Sequence, residues 1–176
     1  MKIKSIALNL IETKVITKIA LFAIFLALAI FAPLFKIQLI TGSIVNAILF
    51  LSTIYLGVLA GLLISFLPSI FSLSTGLLPL PMIAMIPFII TSNVLLVLSF
   101  NFLRKKSFFS SVILSSLLKF LFLFITSSFI INFFIKQALP VKIISMMTWP
   151  QLTTALIGGL ITFIILKKFQ DFSISF

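Results

Sequence analysis

The chain has 176 residues, of which 62% are hydrophobic and 9% are charged, and its mean hydropathy of +1.41 lies far above the range of soluble globular proteins. It has no cysteine or histidine, which excludes disulfides, thiolate or imidazole metal sites and catalysis by a Cys or His nucleophile system. The net charge of +11 comes from basic residues at the ends of apolar runs, where they face lipid head groups and water, so nucleic-acid binding is not expected.

The two acidic residues, Glu12 and Asp171, lie near the termini and outside any apolar run. The membrane interior therefore offers no carboxylate for acid–base chemistry or for binding a hard cation. We expect neither an enzyme nor a resident metal or other cofactor. A chain of this length accommodates about six spans of roughly 20 residues, so residues 1–176 are predicted to form a single all-α transmembrane domain.

The first predicted element is a cationic, weakly amphipathic segment at residues 1–17, which we expect on the cytoplasmic surface of the membrane. An apolar run at residues 19–35 follows and is closed by Pro33 and Lys36. The basic start is similar to a secretory signal. Because several more apolar runs follow, we predict that this one remains as the first transmembrane helix.

The next predicted element has two possible forms. A polar connection at residues 36–43 leads into an apolar stretch at residues 44–73, which is interrupted by the sequence YLGVLAG. The stretch could form one long helix or a hairpin of two helices about 22 to 26 Å long. Helices this short need shelter among neighbours or a thinned bilayer, because the hydrocarbon core is about 30 Å thick.

Three further spans are predicted in the second half of the chain, at residues 82–103, 108–135 and 149–166. A loop rich in Ser, Thr, Gly and Pro, residues 72–81, precedes the first of these spans. A basic cluster at residues 104–106 separates the first two, and a connection that contains Lys136 and Lys142 precedes the last.

The distribution of basic residues favours the hairpin, with its reversal near Gly57. Nine basic residues then lie on one side of the membrane: Lys2, Lys4, Lys14, Lys18, Arg104, Lys105, Lys106, Lys167 and Lys168. Three lie on the other: Lys36, Lys136 and Lys142. One long helix would place the 104–106 cluster on the opposite side of the membrane and remove the unequal distribution of basic residues. Because cytoplasmic loops carry the excess of Lys and Arg, we predict a bundle of six transmembrane helices with both termini cytoplasmic.

Small residues at helical spacing indicate where helices approach closely. Three such faces occur: Ala20, Ala23 and Ala27; Gly57, Gly61 and Ser65; Ala155 and Gly159. Ordinary packing inside the bundle is one interpretation of each face. Ala23 and Ala27 are set among bulky Phe, Leu and Ile, so this pair is also a candidate groove for a helix from outside.

Several segments together resemble the substrate-binding S component of energy-coupling factor (ECF) transporters. They are "AIFLA" at Ala23–Ala27, the segment "TGSIVNAILFLSTIYLGVLAGLLISFLPSIF", a Pro/Gly-rich loop, the turn "LRKK" and the opening "WPQLTTALIGG" of the last span. Many members have "LGP" where the second helix turns into the third, and this chain has "LGV" at Leu56–Val58. It also lacks the histidine-bearing N-terminus of the nickel and cobalt members, which argues against those metals.

The resemblance implies a multi-pass protein of a prokaryotic cell membrane that captures a vitamin or other micronutrient from outside. In that family the AxxxA face, here Ala23 and Ala27, docks on a transmembrane T component that is driven by two cytoplasmic ATPases.

Lys119 is the one basic residue in the middle of an apolar run, "SSLLKFLFLFITSSF". Ser115, Lys119 and Thr126 fall within about 40° of one another on a helix, so the stripe is predicted to face the bundle interior. A buried ammonium is unfavourable by at least about 2.5 to 3.5 kcal/mol, so carbonyls, amides, water or a ligand should answer it. It either snorkels or binds carbonyls at a helix break, or it helps to hold an anionic or carbonyl-bearing solute.

Other polar residues are predicted at a similar depth or at the outer ends of the spans, where they could share a pocket with Lys119. These candidates are Gln38, Asn46, Asn93, Trp149 and Gln151. For each of them a helix cap, an interhelical hydrogen bond or, for Trp149, a place in the aromatic belt at the membrane surface is the alternative.

Two functional classes remain. The first is a transport subunit that binds a small solute and depends on a partner ATPase, because no GxxxxGK[ST] nucleotide motif occurs in the chain. The second is a membrane scaffold of the rod-shape-determining type, which is of similar size. Lys119 beside intramembrane amides favours the first, since a scaffold has little use for an unpaired buried charge. A small channel or flippase is a weaker third possibility.

Overall fold

Helices make up nearly all of the structure, because a chain in lipid must satisfy its backbone N–H and C=O groups internally. The computed structural model describes residues 2–74, 85–134 and 147–170. Six helices are present in these residues: α1 (Lys2–Phe31), α2 (Gln38–Tyr55), α3 (Val58–Ser74), α4 (Ile86–Leu103), α5 (Phe108–Phe134) and α6 (Trp149–Gln170). The predicted all-α bundle of six helices is confirmed.

Five of the six helices are long and apolar enough to cross a membrane: α1 with the 3-10 turn Ala32–Phe35 that follows it, α2, α4, α5 and α6. The apolar part of α3 is shorter and covers Val58–Phe71. Pro68 lies inside this helix.

The hairpin predicted in the apolar stretch 44–73 is also confirmed. The chain reverses at Gly57, whose φ of +95° is a backbone conformation that side chains with a Cβ rarely adopt. The two arms, α2 with 18 residues and α3 with 17, are about 27 and 26 Å long.

Some predicted boundaries were wrong. Residues 38–43 were predicted as a connection but form the first turns of α2, so the link after Phe35 is only Lys36 and Ile37. Helix α1 continues without a break through residue 17, and α6 extends beyond residue 166 to Gln170. The end of the 72–81 loop, Lys136, Lys142 and Asp171 lie outside the described residues.

Helix α2 holds the bundle together. It packs most extensively against α6 and also contacts α1, α3 and α4, while α4 and α5 pair along their length. The half of the bundle that contains Arg104–Lys106 and Lys167–Lys168 is called the basic end below, and the other half the cavity end. At the basic end, the buried Phe50 and Phe100 rings lie 4.7 Å apart in an edge-to-face contact, and Phe108 packs edge-on to Phe100.

Candidate solute cavity

Lys119 lies in the middle of α5 and turns its side chain into the bundle, where only 3% of it is exposed. Its Nζ donates to Asn46 Oδ1 on α2 at 2.6 Å and to Asn93 Oδ1 on α4 at 2.7 Å. An ammonium can only donate, so it fixes both amides with their carbonyl oxygens toward it. The three side chains form one polar cluster that joins three helices.

Asn46 is positioned by the contact between α2 and α6. Its Nδ2 donates to Thr154 Oγ1 at 3.3 Å, and the Thr154 hydroxyl donates to the Gln151 carbonyl oxygen. The helices approach closely because residue 158 is glycine. A Cβ there would lie 2.7 Å from Asn46 Cβ and 2.8 Å from the Ala47 backbone nitrogen.

Two donors of the cluster remain available to a ligand. The Lys119 ammonium has three N–H groups, of which the two amide oxygens take two. No described residue accepts a hydrogen bond from Asn93 Nδ2. Among the described residues the one fully buried side-chain polar atom without a partner is Ser116 Oγ, so Asn93 Nδ2 retains some accessible surface.

The cluster faces a cavity of about 140 Å³ that all six helices line. A cavity of this size holds a molecule about as large as benzene. Eight of its 17 lining residues are polar: Gln38, Thr41, Asn46, Ser65, Ser69, Asn93, Lys119 and Gln151.

The cavity lies away from the basic end of the bundle. Its lining residues lie in the middle of α3 and α5, in the last turn of α1 and in the first turns of α2, α4 and α6. All of these helix ends lie opposite the turn Arg104–Lys106 that joins α4 to α5. Asn46 and Asn93 lie about 12 and 10 Å along α2 and α4 from the first residues of those helices.

Pro68 interrupts the backbone hydrogen bonding of α3 beside the cavity. Proline has no N–H, so the Ile64 carbonyl receives no helical hydrogen bond from position 68. Ile64, Ser65 and Pro68 all line the cavity. The Ser65 hydroxyl donates to the Gly61 carbonyl within its own helix.

The structure brings five of the six predicted solute-binding residues to one cavity: Gln38, Asn46, Asn93, Lys119 and Gln151. Trp149 is not among the lining residues. Its side chain is 67% exposed, and its indole ring stacks on Phe120 at 5.2 Å between centroids. A helix-initial tryptophan facing the outside of the bundle is typical of the membrane–water interface.

Several residues of this site were not predicted to belong to it: Thr41, Ser65, Ser69, Thr154 and Gly158. Hydroxyl side chains in helices usually bond a carbonyl of their own helix, so their presence does not indicate which way they point. Thr154 follows Gln151 by three residues and therefore shares its face of α6, which is the one signal that was available.

The predicted partner-docking residues Ala23 and Ala27 lie on the outside of the bundle, as does Ala20. The opposite face of α1 is buried, with Phe25, Ala29 and Ala32 at 8% exposure or less. The other small residues pack inside: Gly61 lies against Thr53 and Val97, and Ala155 is fully buried.

Metal-ligating side chains do not cluster anywhere in the described ranges: no three His, Cys, Asp or Glu residues meet there. The polar groups that line the cavity are amides, hydroxyls and one amine.

Comparison with known proteins gives one match. No curated protein and no solved structure matches the chain. The sequence model of a family of transporter subunits, described as the substrate-specific component of the ECF transporter, matches residues 17–167. The match covers α2 to α5 completely, together with the second half of α1 and most of α6, and the family is one of transport subunits rather than enzymes. The chain therefore belongs to the family of substrate-specific components of ECF transporters.

Proposed function

We propose that this protein captures a small vitamin-like or micronutrient solute from outside the cell and delivers it by docking on a transmembrane T component energised by two cytoplasmic ATPases. The observation that carries the proposal is the Lys119–Asn46–Asn93 cluster at the base of the cavity. Lys119 on α5 and Asn93 on α4 present donors there to a space that holds a small molecule. A purely structural bundle gains little from such an arrangement, because buried polar groups must first be desolvated.

The chemistry of the cluster favours an anionic solute or a neutral solute rich in carbonyl groups. Its free hydrogen-bonding groups are donors, from the Lys119 ammonium and Asn93 Nδ2. The ammonium has no carboxylate within the apolar spans to balance it. A solute carboxylate or carbonyl would take this place, whereas a cation would be repelled.

The packing beneath the cluster supports capture rather than conduction through a channel. Asn46 is followed one turn later by Phe50, and Asn93 is followed by Leu96 and Phe100. These three apolar side chains are at most 1% exposed. A solute at Lys119 therefore meets close-packed side chains on the path to the basic end, and it needs a partner to complete transport.

We place the basic end in the cytoplasm of a prokaryotic cell, because cytoplasmic segments carry the excess of Lys and Arg. Single cysteines test this orientation in intact cells with an impermeant thiol reagent. We expect labelling at Ile37→Cys, in the link between α1 and α2, and none at Lys105→Cys. If only Lys105→Cys were labelled, the basic end would face outside, and capture of the solute from outside would be contradicted.

The docking proposal is tested with bulky substitutions on the outside of α1. Replacement of Ala23 and Ala27 by Trp should abolish co-purification with the T component and the ATPases, because the flat alanine face becomes too wide for a helix to approach. The matched control is the double variant Leu114→Trp and Leu118→Trp, which has the same spacing on the exposed face of α5. Co-purification that survives the alanine double variant would show that another surface docks.

Mass spectrometry can identify the captured solute even though its chemical identity is not known beforehand. The purified protein is denatured, and the small molecules it releases are compared by mass spectrometry between the unmodified protein and Lys119→Met. We expect an anionic or carbonyl-rich compound that is present only with the unmodified protein. A cationic compound, or equal amounts from both proteins, would contradict the proposed chemistry.

A further inference from the structure

A second concave surface lies at the other end of the molecule and is almost entirely apolar. It is a groove of about 530 Å³ between α1 and α6, with α2 as its floor. Leu21, Phe25 and Leu28 form one wall, and Ile161, Ile165 and Phe169 form the other. Its volume lies within the usual range of ligand sites, about 300 to 1,000 Å³.

The groove is as long as one leaflet of the bilayer. Along α2 its lining extends from Ile44 to Tyr55, which is about 16 Å at 1.5 Å per residue. Half of the hydrocarbon core is about 15 Å thick. The groove ends near Tyr55, the last residue of α2, and so lies in the leaflet at the basic end.

Lysines continue both walls of the groove toward the membrane surface. On α1, Lys14 and Lys18 lie within about 60° of Leu21 and Phe25, about one to three turns closer to the basic end. On α6, Lys168 lies within about 60° of Ile161 and Ile165. Lys14, Lys18 and Lys168 are exposed, and no described carboxylate pairs with them.

We propose that this groove binds an acyl chain of an anionic phospholipid, with the phosphate of its head group held by Lys14, Lys18 and Lys168. The apolar walls match the chain, the length matches one leaflet, and the charges stand where a head group lies. A transmembrane helix fits less well, because it is about 10 Å wide and continues through both leaflets. Ala23 and Ala27 lie on the opposite face of α1, so the groove is separate from the proposed docking face.

Native mass spectrometry of the isolated subunit tests the head-group contact, with phosphatidylglycerol and phosphatidylcholine of identical acyl chains as probes. The variant Lys14→Gln, Lys18→Gln, Lys168→Gln should lower the preference for phosphatidylglycerol by on the order of 10- to 100-fold. The control Lys105→Gln, Lys106→Gln, Lys167→Gln removes the same charge away from the groove and should keep the preference. Equal loss in both variants would mean that the lipid responds only to net charge, and the proposal would fail.

A second pair of variants tests the acyl-chain site. Ile165→Trp fills the groove and should remove the retained phosphatidylglycerol, while Leu160→Trp, on the exposed side of the same helix, should not. Retained lipid in Ile165→Trp overturns the proposal, and so does loss of T-component association in its place, which would assign the groove to a protein partner. Because lipid is measured on the isolated subunit, failure here leaves solute capture and docking untouched.

Discussion

The two ends of the bundle are held together by different interactions. At the cavity end, Lys119 joins Asn46 and Asn93 through hydrogen bonds of 2.6 and 2.7 Å, beside the cavity of about 140 Å³. At the basic end, Phe50 and Phe100 pack edge-to-face, and both side chains are at most 1% exposed. In lipid, apolar contacts gain from tight packing rather than from exclusion of water. We infer that the basic end supplies stability while the cavity end supplies binding.

The largest expected effect is that of Lys119→Met. It should weaken solute binding by about 1 to 3 kcal/mol, the range for a hydrogen bond to a charged group. It should also lower the free energy of unfolding, because Asn46 Oδ1 and Asn93 Oδ1 lose their donor and stay buried. Binding isotherms and thermal unfolding in detergent measure the two effects.

A triple variant separates these two effects. Lys119→Met combined with Asn46→Leu and Asn93→Leu removes donor and acceptors together, so no orphaned oxygen remains in the cluster. Stability should return to within about 1 kcal/mol of the unmodified protein, while solute binding stays lost. Full affinity in the triple variant would show that the cluster serves the fold alone.

A substitution at the basic end should lower stability and leave solute affinity nearly unchanged. Phe100→Ala opens a void beside Phe50 and Phe108 and should lower stability by about 2 kcal/mol. This is less than the about 3 to 5 kcal/mol typical of soluble cores, because the unfolded helices also remain in hydrocarbon. Solute affinity of the folded fraction should change less than threefold, about 0.6 kcal/mol. The control Phe102→Ala alters a ring that is 80% exposed and should be nearly silent.

The smallest effect is expected at the contact of Gly158 on α6 with Asn46 and Ala47 on α2. Gly158→Ala pushes α6 away from Asn46 and the Ala47 backbone, and we expect a loss of about 1 kcal/mol in stability with a measurable loss of affinity. Gly57→Ala strains a turn with φ of +95° by a similar amount, about 1 to 2 kcal/mol. It meets no neighbouring atom within 4 Å, so affinity should hold. Equal loss of affinity in Gly158→Ala and Gly57→Ala would show that the contact between α6 and Asn46 has no special role in binding.

The sequence was sufficient to predict six helices and the reversal near Gly57, because the positions of Lys and Arg distinguish a hairpin from one long helix. It was not sufficient to place the start of α2. Gln38, Thr41 and Gly42 are as polar as a loop, yet they are helical and face inward. Thr41 donates to the Ala32 carbonyl, and Gly42 lies against Thr154. Hydropathy does not distinguish polar residues around a cavity from those of a connection.

Residues of the cavity could be predicted because strongly polar residues are few in the apolar spans. Lys119, Asn46 and Asn93 are among few strongly polar groups in the spans, and each needs a partner in lipid. Trp149 could have faced the cavity or the membrane surface, because an aromatic residue at a helix start fits both, and it lies on the outside. Thr154 and Ser65 were not predicted, since a helical hydroxyl satisfied by its own backbone places no demand on its neighbours.

Because α3 is short, the lipid beside it must deform to match its length. Its apolar segment Val58–Phe71 is about 21 Å long, against a hydrocarbon core of about 30 Å. Leu59, Leu63 and Ile70 remain more than half exposed along it, so this side of the protein borders lipid directly. Acyl chains beside α3 must compress or tilt to match, at a fraction of a kcal/mol for each ångström. Elastic deformation of the bilayer therefore acts on one flank of the bundle, and lipids with shorter chains relieve it.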